Sequence, residues 1–222
     1  MPRSFGEPLT KLRAVPIIDN GEPLVDPTTL SKRLIFAEHH PRMLELTRTP
    51  RVRKRVAEML AESAERVPEG LTLAIIEGFR PIENQRAQHE YVLKMFEEKH
   101  PEWPKAVLHR HANILSAPPE DKCPPPHITG GAVDVTLVDS VTLEWQDLSS
   151  PYEMGPDGAA TAVKGLTELA AKNRQILIDA LTPSGITNYT GEWWHWSYGD
   201  SGWALRVGAP HALYGRLNNP NL

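Results

Sequence analysis

The chain has 222 residues with 40% hydrophobic and 23% charged side chains and a net charge of −4. That fits one soluble globular domain with a sizeable core, and it leaves no basic footprint for nucleic acid. A single cysteine, Cys123, excludes an internal disulfide and a cysteine-built zinc site, so a metal here would need nitrogen and oxygen ligands, with nine histidines to draw on. Met1 to Asp26 lacks the apolar run of a signal peptide, and no stretch of 18 apolar residues exists. The expectation is a cytoplasmic protein without membrane insertion.

Residues 1–30 suggest an extended, loop-rich N-terminal segment packing on a domain that spans 31–222. Thr49-Pro50 offers an N-cap and a first helical position, and Val52, Val56, Met59, Leu60, Ser63 and Val67 follow at helical spacing. The run Arg51, Arg53, Lys54 and Arg55 then forms the solvated face of that helix. Leu71 to Ile76 is a buried strand ending at Glu77-Gly78-Phe79-Arg80-Pro81, and Pro81 opens a second helix to about Glu98. Prolines at 101, 104, 118, 119 and 124–126 give a long loop, with His109-Arg110-His111 exposed on it. Ala132 to Val138 alternates, with Val133, Val135 and Leu137 on one face and Ala132, Asp134 and Thr136 on the other. Residues 140–162 form a second loop region. A helix then runs to about Leu181, with Leu166, Leu169, Ala170, Asn173, Ile176, Leu177 and Ala180 inward. Glu192 to Tyr198 forms a strand, with Glu192 in the turn before it, and Trp203 to Val207 offers a further strand. The pattern predicts a single α+β domain, with a small, mostly antiparallel sheet packed against helices.

Two segments carry candidate chemistry. In the first, His127 ends the proline-rich loop, Gly130 and Gly131 permit close backbone approach, and Asp134 stands on the strand face opposite the core residues. A buried carboxylate needs a partner, and a metal is one. The second, Glu192-Trp193-Trp194-His195-Trp196, offers an acid and an imidazole among three indoles, which either wall the cleft or belong to the core. Residues three apart point oppositely on an ideal strand, so a kink must aim both groups into one cleft. His127, Asp134 and His195 together make the two-imidazole, one-carboxylate set of a catalytic zinc site with an open position. Glu192 is then a free carboxylate suited to act as general base. Arg80, at a strand end, either stabilises an oxyanion or merely ties the strand to Glu77 or Glu83. Cys123 lies near this region in sequence and is read as an incidental loop thiol.

Gly78-Phe79-Arg80-Pro81, His127-x-x-Gly130-x-Ala132-x-Asp134, Met154-Gly155, Asn173-Arg174 and Glu192-Trp193-Trp194-His195 occur in order from about residue 30 to the C-terminus. In these motifs the sequence resembles the zinc D-alanyl-D-alanine dipeptidases of the VanX type, which share a fold with D,D-carboxypeptidases and the Hedgehog signalling domain. The resemblance implies one Zn2+ on His127, Asp134 and His195, with Glu192 as catalytic base and Arg80 as transition-state stabiliser. It implies a small peptide substrate of the D-Ala-D-Ala type. Pro125 stands where the family usually has serine, and Gly158 and Ala159 where it has Phe-Asp, with Asp157 out of register. Both departures concern substrate ends rather than the metal. A D,D- or L,D-carboxypeptidase, an amidase of another peptide-like substrate, and a non-catalytic zinc-bearing module therefore remain alternatives.

Overall fold

A computed structural model describes residues 7–37, 46–149 and 158–217, and among these residues there are seven short strands and six helices. The strands are β1 (Leu24–Val25), β2 (Leu34–Phe36), β3 (Val52–Arg53), β4 (Leu71–Glu77), β5 (Ala132–Asp139), β6 (Thr187–Asn188) and β7 (His195–Ser197). The helices are α1 (Leu9–Leu12), α2 (Lys54–Ala64), α3 (Ile82–Lys99), α4 (Lys105–Leu115), α5 (Glu168–Leu181) and α6 (Ser201–Val207). Strands β2-β4-β5-β7-β6 form one sheet, parallel only at β2–β4, and β1 pairs with β3 in a separate ribbon. The fold is α+β, as its sequence pattern predicts.

The main core lies on one face of the sheet. Leu73 and Ile75 of β4 and Val133, Val135 and Leu137 of β5 meet Val56, Met59 and Leu60 of α2 and Leu177, Ala180 and Leu181 of α5. Period-2 alternation puts Asp134 on the opposite face of β5. Helices α3 and α4 form a hairpin with its own small core of Val92, Phe96, Leu108 and Ala112.

Several local expectations are corrected. Helix α2 starts at Lys54, not Thr49, because Val52 and Arg53 are held in β3 by β1 and the Thr49 hydroxyl accepts the Arg51 N–H instead of capping a helix. Arg53 is not on a solvated face. It is 1% exposed and donates to the carbonyls of Thr129 and Glu22 and to the Asp19 carboxylate. The proline-rich stretch contains helix α4, opened by Pro104, with Leu108 and Ala112 inward, so His109 and His111 are helical. Proline is compatible with a helix start, and here it begins a helix rather than continuing a loop. Leu169 lies outside the inner stripe of α5 at 52% exposure. Trp203 to Val207 is helix, because the Asp200 carboxylate caps the Trp203 N–H at 2.6 Å. Met154-Gly155 and Asp157 lie outside the described residues. Among those described, no helix is long and apolar enough to cross a membrane.

Candidate metal centre

Three adjacent strands bring Glu77, Asp134 and His195 side by side. Asp134 of β5 is in register with His195 of β7 and, after an irregularity in β4, with Glu77. Cross-strand partners share a face, so all three side chains emerge on the side away from the main core. His127 comes from a 3-10 turn, Pro126–Thr129, that Gly130 ends in the left-handed region at φ 70°. The left-handed φ is what calls for glycine, and a Cβ there would also displace the end of the Leu24 side chain, 2.6 Å away.

The His127 turn and the β4 end are stitched in both directions. The His127 Nδ1–H donates to the Gly78 carbonyl at 2.7 Å, since a carbonyl can only accept, and the Arg80 N–H donates to the His127 carbonyl at 3.2 Å. This fixes the tautomer and leaves Nε2 with its lone pair toward the site, as in histidine ligands generally.

His127 Nε2, Asp134 Oδ1 and His195 Nδ1 then converge. They are separated by 3.1 Å between the two imidazoles, 3.0 Å from His195 to Asp134 and 3.2 Å from His127 to Asp134. Three nitrogen and oxygen atoms this close need a proton or a cation between them. A tetrahedral ion with bonds of about 2.0–2.1 Å separates its ligands by roughly 3.3 Å, so the donor set fits zinc. All three residues are buried, and Cys123 is not among them. Cys123 instead borders a small cavity with Glu7, Asp121 and Ser201.

Glu192 lies in the turn before β7, with Oε2 4.0 Å from His195 Nδ1, near the cluster yet outside it. Burial and the nearby Asp134 carboxylate push its carboxyl well above the usual range, and Arg80 offsets this only in part. Burial alone would raise Asp134 too, but the two imidazoles outweigh it and hold that carboxyl far below the carboxylate range. Burial lowers His195 despite Asp134 beside it, which favours the neutral imidazole a metal needs. The two carboxyls thus have opposite tendencies within one site.

Arg80 is 5% exposed and does tie the strand end, donating to both Glu77 oxygens at 3.1 and 2.6 Å and to Gln85 Oε1 at 2.8 Å. Those bonds use three of five N–H groups. Its Nη2 also lies 3.8 Å from Asp134 Oδ2, so the cation borders the cluster. Trp193 and Trp196 sit in the main core, with Trp194 packed against it, so the indoles brace the strand from behind. Gln85 was not singled out in the sequence. A side chain that fixes another by one hydrogen bond has no composition or spacing signature.

Residues 44–212 match the family model described as peptidase M15, D-Ala-D-Ala dipeptidase. The chain is 28% identical to a D-alanyl-D-alanine dipeptidase of Synechocystis, across 96% of this chain and 99% of that one. It is 30% identical over 70 residues to a D-alanyl-D-alanine dipeptidase of Enterococcus faecalis, covering 32% of this chain and 35% of that protein. A solved structure of VanYB in complex with D-alanine-D-alanine aligns at TM-score 0.47 and 15% identity, over 89% of this chain and 91% of that chain. The chain is a metallopeptidase and belongs to the D-Ala-D-Ala dipeptidase family of peptidase M15.

Proposed function

We propose that the protein hydrolyses a D-Ala-D-Ala-type dipeptide with one zinc ion held by His127, Asp134 and His195. The observation that carries this is the convergence of three donor atoms at 3.0–3.2 Å with a fourth, uncommitted carboxylate 4.0 Å away. Zinc in such a site supplies Lewis acidity toward a carbonyl oxygen and a water. Glu192 takes a proton from the attacking water, and its buried, raised carboxyl then returns that proton to the leaving amine. Arg80 places a fixed positive charge beside Asp134 for the developing oxyanion, its plane held by Glu77 and Gln85. The proposed catalytic unit is residues 31–222, and of the segment 1–30 the described part, 7–30, packs on it.

The test is a panel of D-Ala-D-Ala, other dipeptides, N-acylated dipeptides and longer peptides, assayed with zinc and with a chelator. Turnover of D-Ala-D-Ala should vanish with chelator and return with zinc. Glu192→Gln should retain one zinc per chain and lose about 10²–10⁴-fold in kcat. Full activity in that variant would overturn the base assignment. Cleavage confined to longer peptides would make the enzyme a carboxypeptidase with the same centre.

A further inference from the structure

Glu192 and His195 are three residues apart on the approach to a strand, a spacing that would aim them oppositely in regular extended chain. Something must hold the Tyr189–Trp194 turn so that both face Asp134. Backbone bonds close part of it, from Glu192 N to the Tyr189 carbonyl and from His195 N to the Glu192 carbonyl. Tyr189 N also donates to the His195 carbonyl and Trp193 N to the Ala159 carbonyl, and one side chain on the neighbouring strand joins these bonds. Asn188, the last residue of β6, donates from Nδ2 to the Glu192 carbonyl at 3.0 Å and the His195 carbonyl at 3.0 Å, with a longer approach to the Trp193 carbonyl at 3.4 Å. Its Oδ1 accepts the Thr161 hydroxyl at 2.5 Å. Thr161 is itself anchored, by its N–H to the Thr190 carbonyl and by its own carbonyl to Arg174.

We propose that Asn188 is a positioning residue that clamps both ends of the Glu192–His195 turn, setting the distance from the Glu192 carboxylate to the metal cluster. The inference rests on the catalytic reading of Glu192 given above. The chemistry selects asparagine: two donors and one acceptor on a short planar group. Aspartate lacks the donors, serine has one, and glutamine is longer by a methylene. Asn188 touches no ligand atom, so it acts through Glu192 rather than on the reaction. A misplacement of about 1 Å in a catalytic group costs on the order of 10²-fold in rate.

The experiment compares full-length, zinc-loaded Asn188→Asp and Asn188→Ala with the parent, each alone and combined with Glu192→Gln. Both single variants should lose roughly 10–100-fold in kcat with KM and zinc content unchanged. The amides of Glu192 and His195 should exchange with deuterium at least about tenfold faster, because the turn opens locally. In the Glu192→Gln background neither substitution should cost more kcat, since residues acting as a unit are non-additive. Parent-like kcat and exchange in both single variants would overturn the clamp while leaving the dipeptidase reading intact. An undiminished further loss in the Glu192→Gln background would show a role not routed through Glu192 and would also overturn it. If the parent hydrolyses nothing on the panel, the catalytic reading fails, and parent-like exchange in the variants would then sink the clamp on its own.

Discussion

Arg80 and Glu77 show what a single pair of residues must do here. Both are buried, at 5% and 6% exposure, and each is the other's main counter-charge. Removing one partner of a buried pair leaves an uncompensated charge, at a cost of about 3–5 kcal/mol. Glu77→Gln should therefore lower the urea-unfolding free energy by several kcal/mol and reduce kcat through a loosened Arg80. Unchanged stability would mean that water reaches the pair. Arg80→Lys should not rescue function, because an ammonium cannot span two Glu77 oxygens and Gln85 at once. At this scale the members of the candidate cluster were legible, because the capacity to bind a metal is written in side-chain type. Two histidines, an aspartate and a glutamate stood out for that reason, and Glu77 was one of two candidate partners for Arg80. Asn188 and Gln85 were not legible. Their roles consist of bonds to carbonyls and to another side chain, which only the folded chain brings within reach.

Among the elements, β4 and β5 could be read from their apolar runs and α3 from its proline start. Helix α4 was hidden by flanking prolines that signal both loops and helix starts, and α6 because the short run from Trp203 to Val207 reads as strand until its Asp200 cap is seen. Strand β2 has three residues and gains its place only by parallel pairing with β4, a contact with no local signal. The entry to β5 invites a test. A Cβ on Gly131 would lie 2.7 Å from the Tyr198 backbone oxygen and 3.0 Å from both Thr129 Oγ1 and the Tyr214 ring. The Tyr198 N–H also donates to the Gly131 carbonyl, so the clash falls on the β5–β7 pairing that aligns Asp134 with His195. Gly131→Ala should cost about 1–3 kcal/mol in stability and weaken zinc retention in a competitive chelator titration. A variant that holds zinc as tightly as the parent would show that the strands absorb the strain elsewhere.

Across the whole molecule, the N-terminal segment is tied to distant parts of the chain. Glu7 bonds Arg206, Arg13 bonds Asp121, and Asp19 links the buried Arg53 to the Gly215 N–H. Burial works against ionisation of Asp19, but the N–H groups of Gly215 and Gly21 and the Arg53 guanidinium outweigh it and hold its carboxyl below the usual range. A depressed folded pKa gives stability that is present above the unfolded value, about 3.9, and lost as pH falls through the folded one. Asp19→Asn should therefore melt below the parent at neutral pH, with the gap closing as pH drops below about 4. A gap that stays constant into acid would mean that the tie does not depend on the carboxylate charge. The register of Asp134 against His195 has a consequence in time as well as in space. His127 and Asp134 arrive on one continuous segment, whereas His195 lies 61 positions beyond Asp134 and meets it only when β7 docks on β5. Long-range pairings of this kind form late, because loop closure must precede any gain from the contact. With the proposed zinc site, capture of the ion during refolding should await the β5–β7 pairing, so that zinc uptake would report completion of this edge of the sheet.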